Sequence, residues 1–271
     1  MHDETGRRWP LAAINGYSND IDHFEHLFDV QATRWGLEEV ELGSTGFGMV
    51  SLWQSVAAHK TLPHVLLAAG FHGDEPAGSW GLLNFLQHNS PLLLDKIRLT
   101  FLPLVNFSGM RAGLRLNAHG EDLAQGYGAQ PPASHEAELL EASLPLLIDA
   151  SRDGLLCCGE APDEQKAWLY CWEPGGEPDA FSVTLRDELA ECFTLYDDAQ
   201  LEGCRCRNGI IHNYFDNSFA AWLVAQGAAV AARVKTPGQA AFEQRIFAHH
   251  MVTSAFISAV LARHENQPLT S

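Results

Sequence analysis

The sequence predicts a single α/β domain over residues 1–271, with one sheet covered by helices on both faces. Three observations predict it. Short β-rich or apolar runs alternate with stretches of helical spacing. The runs HVLLAAG and GLLCCGE are continuously apolar, as in strands buried on both faces. No internal repeat, low-complexity tract or Pro/Gly/Ser-rich linker divides the 271 residues, a length that one domain fills.

In chain order, residues 38–55 form two β-rich runs broken by Gly43-Ser44-Thr45-Gly46, a hairpin pattern. Residues 64–70 form a buried strand. A helix over 77–88 follows, with Trp80, Leu83 and Leu86 on one side. Residues 96–106 give the next strand. The stretch 134–151 predicts one amphipathic helix entered through Ser134, with acids in its first turn. Strands are expected at 154–160 and 167–173, and the polar stretch 160–166 reads as a mobile loop. A helix over 218–227 closes on Gly227, a strand covers 228–236, and a long helix ends the chain. A site is expected at loops that follow strand C-termini.

Composition narrows the function. The chain is 46% hydrophobic and 19% charged, as soluble globular proteins are, and no apolar run reaches the roughly 18–20 residues of a membrane span. The start, MHDETGRRWPLAA, lacks the basic and apolar regions of a secretory signal. A formal net charge of −17 repels phosphate backbones and anionic lipid heads, so neither nucleic acid nor membrane is an expected partner. Six irregularly spaced cysteines read as reduced thiols in a cytoplasmic protein. Cys204-Arg205-Cys206 with His212 fits no usual zinc spacing.

The stretch LLAAGFHGDEPAG, residues 66–78, carries the sharpest signal. His72 and Glu75 follow a buried strand and a glycine, so ring and carboxylate can converge at the sheet edge. Hydrolytic zinc takes three such protein ligands plus a water, whose pKa it lowers. Spacing by itself leaves two readings open, a metal pair or a polar turn. His135-x-x-Glu138 has the same spacing but lies on an amphipathic helix, where i,i+3 polar neighbours are routine.

GFHGDEPAG resembles the first zinc-ligand segment of the metallocarboxypeptidase superfamily, closest to the murein-peptide amidase and succinylglutamate desuccinylase/aspartoacylase branch. Residues 103–125, PLVNFSGMRAGLRLNAHGEDLAQ, are similar to the family's Asn-Pro-x-Gly…Arg-x-Asn…Gly-x-Asp-Leu-Asn-Arg block, and the resemblance resumes over 209–239 and the closing helix. It implies a mixed, mostly eight-stranded sheet, a zinc cofactor, and hydrolysis of a peptide or N-acyl amino-acid amide bond. By resemblance His72 and Glu75 are zinc ligands, Asp122 orients the ligand histidine, and Arg115 polarises the scissile carbonyl.

Other positions depart from that pattern. Ala124 and Gln125 stand where the family has the Asn-Arg fork for a terminal carboxylate. Gly159 stands at the third ligand's position, with Cys158 the neighbouring alternative. Lys235 stands at the general base, where an ammonium has no lone pair to take a proton. The family's tyrosine maps near Asn213, so His212 and Tyr214 are binding candidates. The resemblance therefore implies a metallohydrolase whose hydrolysis is in doubt. The alternative is a silent relative that binds a peptide or amino-acid-like ligand, with Lys235 paired to Glu75 in the vacated metal position. A purely structural scaffold, the third class, has no positive support in the sequence.

Overall fold

The computed structural model describes residues 18–56, 61–201 and 203–266; the N-terminal stretch read above for a secretory signal lies outside them. An eight-stranded mixed sheet runs in the order β1-β2-β4-β3-β5-β10-β6-β9. Its members are β1 (Leu37–Ser44), β2 (Met49–Ser55), β3 (His64–Ala69), β4 (Arg98–Leu102), β5 (Gly154–Ala161), β6 (Trp168–Trp172), β9 (Ile210–His212) and β10 (Ala231–Pro237). A small ribbon, β7 (Ala199–Leu201) with β8 (Cys204–Cys206), stands apart.

The centre of the sheet, β4-β3-β5-β10, is parallel, and all six residues of β3 are buried. That is why these strands read as unbroken apolar runs. The helix α2 (Ala77–His88) lies against α8 (Phe242–Glu265) and beneath α1 (Ile21–Trp35), while α6 (Ala180–Cys192) packs along α8. Among the shorter helices, α5 (Leu144–Ser151) packs on β3, and α7 (Phe219–Ala225) packs on β5 and β10. The remaining two are α3 (Phe107–Ala112) and α4 (His135–Ala142).

Several expectations change. The single helix over 134–151 is two, α4 and α5, which meet at Ser143. Pro145 lies in the first turn of α5, where its missing N–H costs nothing, whereas inside a continuous helix it would break a hydrogen bond. The Ser134 cap forms as expected, with its hydroxyl accepting from the Ala137 amide at 3.0 Å. The expected loop over 160–166 begins instead with fully buried Glu160 and with Ala161, both still in β5. Finally, α8 has 24 residues and is apolar enough to cross a membrane by length and composition. Its most apolar window is 67% buried inside the protein, as the central helix of a folded core is.

Candidate site at the carboxyl ends of the central strands

Three strand ends build the site. At the end of β3, Gly70 takes a positive φ of 72°, which glycine adopts at little steric cost. The chain then turns through His72 to Glu75, closed by Glu75 N–H donating to the His72 carbonyl at 3.2 Å. Next to β3, the parallel β5 carries Gly159 near its end, and β10 brings Lys235 into register with it. The segment that follows β4 carries Arg115 and Asp122 in the loop after α3. Buried Asn106 ties the two loops together: its amide donates to the carbonyls of Phe71 (3.2 Å) and Arg115 (3.0 Å), and its oxygen accepts from Gly109 N (2.8 Å). Gly73 lies so close to this segment that a Cβ there would meet the Gly109 carbonyl carbon at 1.9 Å.

The structure brings five predicted residues together. His72 Nδ1 lies 2.7 Å from Glu75 Oε1, and its Nε2 lies 2.7 Å from Asp122 Oδ1. The Lys235 ammonium donates to both Glu75 oxygens at 3.1 Å and to the Glu160 carbonyl at 2.8 Å, so its three N–H groups have three acceptors. Glu75 Oε2 also accepts from Glu160 N at 2.7 Å. Arg115, half exposed, reaches Asp122 at 3.2 Å and Glu75 at 3.7 Å.

The electrostatics follow from these contacts. Burial works against ionising Glu75, but the Lys235 charge and the His72 hydrogen bond outweigh it and hold the carboxyl well below the usual range. Asp122 is likewise held low: partial burial is overcome by its bond to His72. Burial disfavours a charged His72 ring, yet the Asp122 and Glu75 hydrogen bonds prevail and its pKa is raised. The cluster thus interleaves the His72 ring and the Lys235 side chain with two carboxylates.

Supporting groups stand behind it. Helix α2 opens with Pro76 and no side-chain cap, and Glu160 supplies one from β5, accepting from Ala77 N at 2.7 Å. Arg245 of α8 ion-pairs with the same carboxylate. Burial pushes the Glu160 carboxyl up to about 7, against the pull of Arg245 and the Ala77 amide. A cavity of about 60 Å³ lies over the cluster, lined among others by Phe71, Arg115, Gln125, Cys157 and Arg233.

Two predicted residues are elsewhere. His212 faces Glu173, with Nε2 3.4 Å from Oε1, and the exposed Tyr214 offers its carbonyl to the Trp172 indole. Neither lines the cavity. Between them Asn213, at φ 48°, bonds the backbone of Glu173 and Gly175 and fixes the loop. Cys158 is in hydrogen-bond contact with Thr253 of α8, and burial pushes its thiol far up, away from the thiolate that binds metal. Arg233 was not anticipated. It stacks on Tyr170 at 3.9 Å and lies 3.4 Å from Asp216, and its position two residues before Lys235 on one strand was the available signal.

This donor set does not fit a zinc ion. Structural and catalytic zinc takes at least three protein ligands. Here His72 and Glu75 offer two donors toward one point, Asp122 sits on the far ring nitrogen, and the residue facing Glu75 from β5 is Gly159, which has no side chain to offer. Among the described residues no three His, Cys, Asp or Glu side chains form a metal-holding group.

Comparison with known proteins places this architecture. No family model matches the sequence, and no curated protein matches it. Solved structures do. A candidate metallopeptidase from Shewanella baltica OS155 is 41% identical, covering 89% of this chain and 92% of its own, with a TM-score of 0.87. One from Shewanella denitrificans OS217 is 40% identical, covering 89% and 90%, with a TM-score of 0.85. The fold alone is shared with a metallo-carboxypeptidase from Burkholderia cenocepacia at 14% identity, covering 88% and 68%, with a TM-score of 0.66. The sheet, its helices and these relatives define an α/β protein of the metallopeptidase type. The chain belongs to the metallopeptidase family of these two Shewanella proteins and shares its fold with the carboxypeptidases. Its metallopeptidase relatives imply a metal cofactor for the family at large.

Proposed function

We propose that this chain is a metal-independent member of its superfamily that binds a small peptide or amino-acid-like ligand instead of hydrolysing one. The observation that carries the reading is the Lys235 ammonium, 3.1 Å from both oxygens of the carboxylate that would otherwise face a metal. A carboxylate buried without a counter-charge is costly, and Lys235 together with the His72 ring supplies positive charge from within the chain. The same ammonium occupies the place of the general base, and its N–H groups are already committed, so it offers no lone pair for a proton.

What remains can still recognise a ligand. Arg115 is half exposed at the pocket mouth and presents a planar fork suited to a carboxylate or a carbonyl oxygen. Arg233 lies deeper along the same wall. With Ala124 and Gln125 at the family's fork, a free C-terminus has no second cationic clamp there. The ligand class is therefore an acyl-amino-acid or peptide with one anionic or carbonyl group within reach of Arg115, and the chain is assigned to the cytoplasm.

The test is metal quantitation on protein purified without chelator or metal-affinity tag. The reading expects well below one zinc per chain, and no change in ligand affinity when zinc is added. One equivalent of zinc, lost in His72→Ala, overturns it in favour of a working hydrolase. A converse test restores the family's residues. In Gly159→His with Lys235→Glu a Cβ at 159 lies 2.8 Å from Glu75 Oε2, so the new ring starts beside that carboxylate and zinc binding is expected to appear.

A further inference from the structure

A second cavity, of about 200 Å³, lies between α1, the β1–β2 hairpin and the end of β4. Its floor is apolar and aromatic. Phe24 and Phe28 are almost fully buried and sit 5.8 Å apart between ring centroids, and Trp53 lies 5.9 Å from Phe28. Three carboxylates line it, Glu25 and Asp29 from α1 and Glu39 from β1, and no Lys, Arg or His does. Glu25 and Asp29 are one helical turn apart, where like charges repel. The nearby Arg111 is committed to Asp22 at 2.8 Å.

An acidic rim alone does not make a ligand site. The second observation is Ser51, which shares a face of β2 with Met49 and Trp53 and lines the cavity with them. It is only 5% exposed, and its hydroxyl has no hydrogen-bond partner among the described residues. A buried hydroxyl left unpaired is unfavourable, so one on a cavity wall marks where a polar group is missing.

We infer that this cavity binds an organic cation, an alkylammonium group whose aliphatic chain lies on Phe28, Trp53 and Met49 while its charge meets Glu25, Asp29 and Glu39. A bare metal ion is the wrong occupant, because these carboxylates do not form a metal-holding group. An ammonium on a chain of four or five carbons spans a wider gap, gains from the aromatic faces, and can donate to Ser51. A net charge of −17 raises the local concentration of such cations. The ligand is either a free amine or a lysine side chain of a peptide; both present the same chemistry.

The test titrates n-pentylammonium chloride into the full-length protein and follows the heat by calorimetry and the tryptophan fluorescence, to which Trp53 contributes, with n-pentanol as the uncharged comparison. Saturable binding is expected, at least tenfold tighter than pentanol and weakened by salt. Glu25→Gln with Asp29→Asn is expected to weaken it at least tenfold, Glu39→Gln on the opposite wall severalfold, and Arg115→Ala in the other pocket not at all. A blocked lysine amide, titrated alongside, separates the two sources: tighter binding than pentylammonium assigns the site to peptide lysines, weaker binding to free amines. Equal binding of pentanol, or an affinity untouched by all three carboxylate changes, overturns the inference.

Discussion

Replacing Lys235 by Met removes one charge from a cluster in which Glu75 is 4% and Lys235 7% exposed. At 3.1 Å and an effective dielectric of about 20, the attraction lost is about 5 kcal/mol. Removing one partner of a buried pair costs about 3–5 kcal/mol, because the other charge stays behind unpaired. His72 remains against Glu75, which places the expected loss near the lower end, about 3 kcal/mol. Urea unfolding followed by tryptophan fluorescence reads it directly. Glu75→Gln with Lys235→Met removes both charges and should recover at least about 1 kcal/mol over the single variant, since a fully neutral pair leaves no orphan. The pH dependence has a defined sign. Glu75 is held low in the folded state, so its contribution is present above its ordinary pKa of 4.5 and is lost as pH falls below it. The gap between wild type and Lys235→Met should therefore narrow below about pH 4. A loss under about 1 kcal/mol with no pH dependence would refute the pairing as the element that holds this site together.

Other perturbations separate the parts. His64, buried at the start of β3, has its pKa lowered to about 4 by burial and by Arg98, so stability should fall as pH drops from 6.5 toward 4, by up to about 3 kcal/mol. His64→Gln should flatten that limb in acid titration of the unfolding midpoint; an unchanged limb would show that other groups set it. Asn106→Ala unties the two site loops and should cost about 2–3 kcal/mol, with faster amide exchange in 71–75 and 113–116 as the readout. Gly73→Ala forces its Cβ against the Gly109 backbone and should destabilise more than any single cap change, whereas Ser134→Ala should cost only about 1 kcal/mol.

Local pattern was most informative where burial is uniform. The strands β3, β5 and β10 and the helix α2 declare themselves, because a strand covered on both faces is apolar along most of its length, with Glu160, Arg233 and Lys235 breaking the runs near the site. The helix α1 and the helix α6 did not emerge from the sequence. Each places only its core-facing minority of residues inside, among exposed acids and polar groups. The break between α4 and α5 turned on one proline whose place within a turn decides whether it starts a helix or splits one.

The candidate site divides the same way. Spacing alone left His72 and Glu75 open between a metal pair and a polar turn; the resemblance to a known family is what picked out Arg115, Asp122 and the cation at 235. Distance along the chain carries no information about which of the thirteen histidines meets which carboxylate. Only folding set Gly159 beside Lys235 in one register, turned His212 toward Glu173, sent the Cys158 thiol to α8, and delivered Glu160 and Arg233 to positions that no motif marks. The reason is geometric. A parallel sheet aligns the ends of strands that lie far apart in the chain, and alternation along each strand then decides which side chain enters the pocket and which the core.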